Sequence, residues 1–206
     1  MRPVALAAAL AALTACVSVT DQRVEHLATA QVASDFETYD LRRVGILPPI
    51  GRGFDIRQSQ ALQGILFTEF SQQAPYEFVP LHEWDLEEID LTESYVRGRY
   101  EPSMVIDLAR RFHFDAMLVA TVVDAKTHDP QRLSLAADLV ASETGAAVWS
   151  ASVQLDASSD RTRNSLRAFY GSSEAMDTEH GAGWELALDS PRLFAQFGAW
   201  QLARLL

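Results

Sequence analysis

The sequence predicts an α+β fold in two α/β layers. It has a mixed sheet of about five strands, element order βαβαβββ, and a carboxy-terminal helix packed on the sheet. Three observations carry that prediction. Short apolar stretches alternate with segments of helical spacing between residues 43 and 112. Two runs of strict alternation, 133–140 and 146–155, flank a Thr-Gly turn and read as a hairpin with one covered side. From Ser190-Pro191 onward the chain is helical in spacing and strongly apolar.

The elements follow in order. Residues 43–48 (RVGILP) form a strand that Pro48-Pro49 ends, because proline has no N–H for the ladder. Gly51-Arg52-Gly53 is a loop. Residues 56–73 are spaced as a helix with Leu62, Ile65, Leu66, Phe67 and Phe70 on the buried face. Gln58, Gln60, Gln63, Glu69 and Gln72 fall on its wet side, and Pro75 closes it. Residues 76–81 are a short strand carrying Phe78 and Val79. The stretch 82–101 is irregular and acidic, with Glu83, Asp85, Glu87, Glu88, Asp90 and Glu93 inside eleven residues.

Pro102-Ser103 opens a helix through Phe112, with Val105, Leu108, Ala109 and Phe112 on one face. Arg110 and Arg111 near its end, and His113 just after, suit the negative helix terminus. Residues 115–124 (DAMLVATVVD) are nearly all apolar, the mark of a strand covered on both faces. In the hairpin, Leu133, Leu135, Ala137 and Leu139 share a face, as do Trp149, Ala151, Val153 and Leu155. Gly145 supplies the positive φ of the turn between them. Residues 160–170 are helical, 171–189 loop-like, and Ser190-Pro191 caps and starts the last helix.

The amino end has a different character. Arg2 precedes an apolar run, Val4 to Leu13, and small residues follow, which is the order of a secretory signal peptide. That run is shorter than the roughly 20 residues a membrane helix needs. It ends in Leu13-Thr14-Ala15-Cys16, which contains the chain's single cysteine. This stretch resembles the lipobox of bacterial lipoproteins. The resemblance implies that Leu13, Thr14 and Ala15 are recognition residues and that the chain is cut before Cys16. Cys16 then carries acyl chains on its thiol and new amino group. Three chains exceed the two signals that stable anchoring takes. Val17, in place of aspartate, points to the outer membrane. The expected organisation is a removed leader 1–15, a lipid-anchored spacer 16–40, an α/β domain 41–156 and a helical extension 157–206 packing on that domain. Within the spacer Val24, Leu27, Ala28, Gln31 and Val32 are spaced for a short amphipathic helix.

Composition sets bounds. A formal charge of -11, falling to -12 once Arg2 leaves, excludes nucleic acid as a partner, because phosphates need Lys or Arg. One cysteine excludes an internal disulfide, so the fold rests on its core, which an apolar share of 48% supports. The histidines (His26, His82, His113, His128 and His180) show no HExxH or HxH spacing. The acidic run lacks the alternating ligands and glycine of an EF-hand loop. Ser172 and Ser173 do not form a nucleophile elbow, and Gly51-Arg52-Gly53 lacks the lysine of a phosphate loop. No catalytic residue, metal site or cofactor is expected.

Three local texts carry a second resemblance: RRVGILPPIG, LARRFHFDAMLVATVV and ADLVASETGAAVWSASV, all within residues 42–156. They are similar to a periplasmic α/β domain of bacterial envelope proteins. That group includes the curli-secretion lipoprotein, the lipoprotein activator of penicillin-binding proteins, and the amino-terminal domain of the Tol-Pal β-propeller protein. The resemblance implies an adaptor or assembly factor that binds a protein partner in the envelope. The expected contact residues are Glu83, Asp85, Glu87, Glu88 and Asp90, with the segment 171–189 beside them. Two alternatives stay open: a subunit of a homo-oligomeric secretion or assembly ring, and an enzyme whose site is too scattered to see.

Overall fold

The computed structural model describes residues 24–172 and 183–206. Its strands are β1 (Ala28–Val32), β2 (Arg43–Ile46), β3 (Glu77–Pro80), β4 (Ala116–Lys126), β5 (Arg132–Ala141) and β6 (Ala147–Asp156). They form one mixed sheet in the order β1-β6-β5-β4-β2-β3. Strand β2 is parallel to both β3 and β4, and the rest of the sheet is antiparallel. The helices are α1 (Ile56–Gln73), α2 (Leu91–Arg97), α3 (Pro102–Arg111), α4 (Asp160–Ser172), α5 (Leu186–Asp189) and α6 (Pro191–Ala203).

Alternation along the strands sorts the core into two parts. On one face, Leu118 and Ala120 of β4, Leu135 and Leu139 of β5 and Trp149 and Val153 of β6 meet α1 and α6. Leu62, Leu66 and Phe70 come from α1; Phe194, Phe197 and Leu202 come from α6. Trp149 stands edge-on to Phe70, with centroids 6.1 Å apart, and its indole N–H donates to the Leu205 carbonyl at 2.8 Å. The carboxy-terminal helix therefore packs on the sheet, as its apolar face predicts. On the other face, Met117 of β4 meets Val105, Leu108 and Ala109 of α3, together with Leu81, Leu86, Ile89 and Tyr100. The two-layer arrangement thus gains a third layer over β2 and β4. Thr29, Gln31, Ser152 and Gln154 of β1 and β6 are exposed on that same side.

Local signals explain the element ends. Asp55 caps α1: its Oδ1 accepts from the Gln58 N–H at 2.8 Å, while Gln58 Oε1 accepts from the Asp55 N–H at 2.9 Å. Ser190 caps α6 through a bond from the Leu193 N–H at 3.4 Å, with Pro191 at the first helical position. Gly145 turns the hairpin at φ 71° and Gly98 ends α2 at φ 69°. His113 follows α3 with φ 56°.

Several expectations are corrected. The short amphipathic helix expected around residues 24–32 is the edge strand β1, paired antiparallel with β6. A helix that short is marginal alone, whereas β6 offers a row of ladder partners. Gln63 and Glu69 are buried rather than wet, and Phe67 is 36% exposed rather than core. Helix α1 is covered by the sheet on one side and α6 on another, so its buried arc is wider than one stripe. Gln63 uses that position to donate to the carbonyls of Ile46 and Leu81, each at 2.8 Å. The irregular stretch after β3 folds into a 3-10 turn at Glu83–Leu86 and the helix α2. Within 171–189, Leu186–Asp189 is a one-turn helix, and residues 173–182, His180 among them, lie outside the described residues.

Candidate functional site

The segment between β3 and α3 is built as a cover with one side inward and one side out. Leu81, Leu86 and Ile89 enter the second core cluster, and their burial fixes the turn. Two carboxylates hold its backbone. Asp85 Oδ2 accepts from the His82 N–H at 2.8 Å, and Asp90 Oδ1 accepts from the Glu93 N–H at 3.0 Å, capping α2. Tyr100 donates to the Pro48 carbonyl at 3.0 Å, and Ser59 to that of Pro49 at 2.7 Å. The double-proline turn after β2 is thereby tied to α1 and to the end of the cover. Burial raises the Tyr100 phenol well above its ordinary range, so it stays a donor.

The outward side carries Trp84, 67% exposed, with its ring 4.4 Å from the His82 ring at an interplanar angle of 29°. Carboxylates surround this stack in sequence. Glu83 Oε1 accepts from Gln60 Nε2 at 2.9 Å, Glu88 pairs with Arg111 at 3.1 Å, and Glu87 has no partner among the described residues. On α2, Arg97 pairs with Glu93 and with Glu101, leaving Val96 of the same helix 68% exposed. A large aromatic held against a second ring, with exposed carboxylates beside it, Glu87 unpaired among them, can take up a cationic or amphipathic side chain.

Of the five sequence-predicted contact residues, the structure places Glu83, Glu87 and Glu88 at the surface with Trp84, while Asp85 and Asp90 cap backbone N–H groups. Trp84 is not among the sequence-predicted contact residues. The signal was present: a tryptophan between carboxylates in a stretch with no periodicity to bury it. Cys16, Leu13, Thr14 and Ala15 lie outside the described residues. Among the described residues no three His, Cys, Asp or Glu side chains gather as a metal site, and no helix is long and apolar enough to cross a membrane.

No protein-family model matches the chain, and no curated protein matches it. Solved structures do show likeness. The PelC dodecamer from Paraburkholderia phytofirmans is 10% identical, with a TM-score of 0.45 over 67% of this chain and 87% of that one. Lipoprotein GNA1162 from Neisseria meningitidis is 22% identical, with a TM-score of 0.40 over 55% of this chain and 79% of that one. The LpoB C-terminal domain from Salmonella enterica is 15% identical, with a TM-score of 0.41 over 59% of this chain and 90% of that one.

Proposed function

We propose that this chain is a lipid-anchored protein of the bacterial envelope. Cys16 holds it on the periplasmic face of the outer membrane, and it acts by binding rather than by chemistry. Its partner is a protein that presents a basic segment to the surface around Trp84. The observation that carries this reading is Trp84, exposed and stacked on His82 beside Glu83, Glu87 and Glu88. Tryptophan is a frequent hot spot of interfaces, and a charge of -11 favours a basic partner. The tether raises the effective concentration of the domain for partners at the same membrane.

Photo-cross-linking in intact cells, with the reactive residue at Glu87, tests the reading. The expected result is a covalent protein adduct that Trp84→Ala reduces roughly thirtyfold, the equivalent of the loss of about 2 kcal/mol typical of a hot spot. Adducts to lipid alone, or an adduct indifferent to Trp84→Ala, would count against it.

Assembly of copies is a second reading, which the edge strand β1 favours. The Ala33 N–H donates to the Val148 carbonyl at 2.8 Å, and antiparallel alternation then turns the backbone groups of Ala28, Ala30 and Val32 away from β6. This five-residue edge carries neither charge nor proline, whereas the opposite edge β3 is four residues long and ends in Pro80. A single monomeric species by light scattering would remove this reading.

A further inference from the structure

Helix α4 is basic in a molecule of charge -11: Asp160 at its first position is its one carboxylate, and Arg161, Arg163 and Arg167 lie on its exposed arc with Asn164. Thr162, Ser165, Leu166 and Tyr170 take the buried arc. The Arg167 guanidinium lies 4.6 Å from the centre of the Trp184 ring and that of Arg163 5.9 Å, and neither meets a carboxylate among the described residues. Arg204, exposed at the end of α6, lies 4.7 Å over the Trp200 ring, which is itself 4.7 Å from the ring of Phe169 on α4. Stacking on an aromatic face orients a guanidinium without neutralising it, so its N–H donors stay open to phosphate oxygens.

The chain enters the fold against this helix. Ser165 Oγ and Gln201 Nε2 both donate to the Glu25 carbonyl at 2.9 Å, Gln201 Oε1 accepts from the Leu27 N–H at 2.9 Å, and Arg161 pairs with Glu25 at 2.7 Å. Eight residues, 17–24, separate Cys16 from Glu25, so the link reaches at most about 30 Å when fully extended. The entry point leads into β1, whereas the acidic cover with Trp84 follows β3. Those strands are the two edges of the sheet, about 24 Å apart at roughly 4.8 Å per strand.

We infer that the exposed arc of α4 rests on anionic phospholipid headgroups, with Arg163 and Arg167 on their phosphates. The inference rests on the anchor at Cys16, which keeps α4 within reach of the bilayer. Charge complementarity selects the face: a surface of phosphates attracts the arginine arc and repels the acidic cover, and both forces act within the roughly 8 Å Debye length of physiological salt. Each arginine at such a surface strengthens the contact about fivefold. The body is thereby oriented, α4 towards the membrane and Trp84 on the side away from it, open to a protein partner.

The experiment uses the acylated full chain carrying Asn164→Cys, with a fluorophore on the introduced thiol, reconstituted in vesicles whose headgroups carry a nitroxide quencher. The acyl group blocks Cys16, so the label sits on α4 alone, and Glu87→Cys places the same probe on the cover. In vesicles of equal parts phosphatidylglycerol and phosphatidylcholine the α4 probe should be quenched several-fold more than the cover probe. That excess should vanish in phosphatidylcholine alone. Arg163→Gln with Arg167→Gln should weaken the oriented contact roughly twentyfold and so erase most of the excess, with melting little changed because both side chains are exposed. A vesicle-bound chain quenched equally at the two probes, or an excess indifferent to lipid charge and to both substitutions, would overturn the inference and leave the anchor standing. A chain that does not float with the vesicles would refute the anchor, and the inference with it.

Discussion

Glu69 shows what one residue's burial does. Desolvation raises its carboxyl above the ordinary 4.5, and the bond from Gln196 offsets this in part. The folded chain therefore holds this proton to a higher pH than the unfolded chain. Above the folded value the ionised group is buried at a cost; below the ordinary carboxylate range both states are protonated and the cost vanishes. Glu69→Gln should thus melt higher than the native protein at pH 7, and the difference should shrink as pH falls towards 4.5. Equal melting at pH 7 would show that the carboxylate is not penalised. Gly51 makes a different point at this scale. A Cβ there would sit 2.5 Å from the Val122 carbonyl oxygen, where Ile50 bridges to Thr121. Gly51→Ala should cost about 1–3 kcal/mol in denaturant unfolding, the usual range for overpacking. The sequence marks Gly51 as loop; its real constraint, the close approach of a distant strand, is a contact no local pattern encodes.

Among the elements, β1 is the one whose register can be tested by paired substitutions. Gln31→Pro removes an N–H that faces β6 and should lower the denaturation midpoint. Ala30→Pro removes an N–H that faces away and should leave the ladder intact. Equal losses in both variants would refute the register. If copies pair through this edge, Ala30→Pro should also dissociate them. The hairpin β5–β6 was legible because one face is buried and period two is then enforced over ten residues in each strand. β1 was not legible, because Ala28, Thr29, Ala30, Gln31 and Val32 fit either period and only β6 decides between them. The same applies to Gln63 and Glu69: local spacing assigned one buried stripe to α1, and packing by α6 widened it.

The whole molecule joins a body with two core clusters to a surface feature that the sequence only half revealed. The acidic stretch was visible as charge; its conversion into a cover, with Leu86 and Ile89 inside and Trp84 outside, depends on the sheet beneath it. Asp85 and Asp90 illustrate the limit of reading charge as contact, since both serve the backbone. Replacing Glu83, Glu87 and Glu88 together with glutamine should weaken partner binding and flatten its salt dependence, with little effect on melting, because exposed pairs contribute about 0–1 kcal/mol. The functional account needs this body to be held at a bilayer. The most direct measurement is the intact mass of the protein extracted from native membranes. The account predicts a chain that begins at Cys16 and carries acyl chains. A chain that still holds residues 1–15, or an unmodified Cys16, would contradict it.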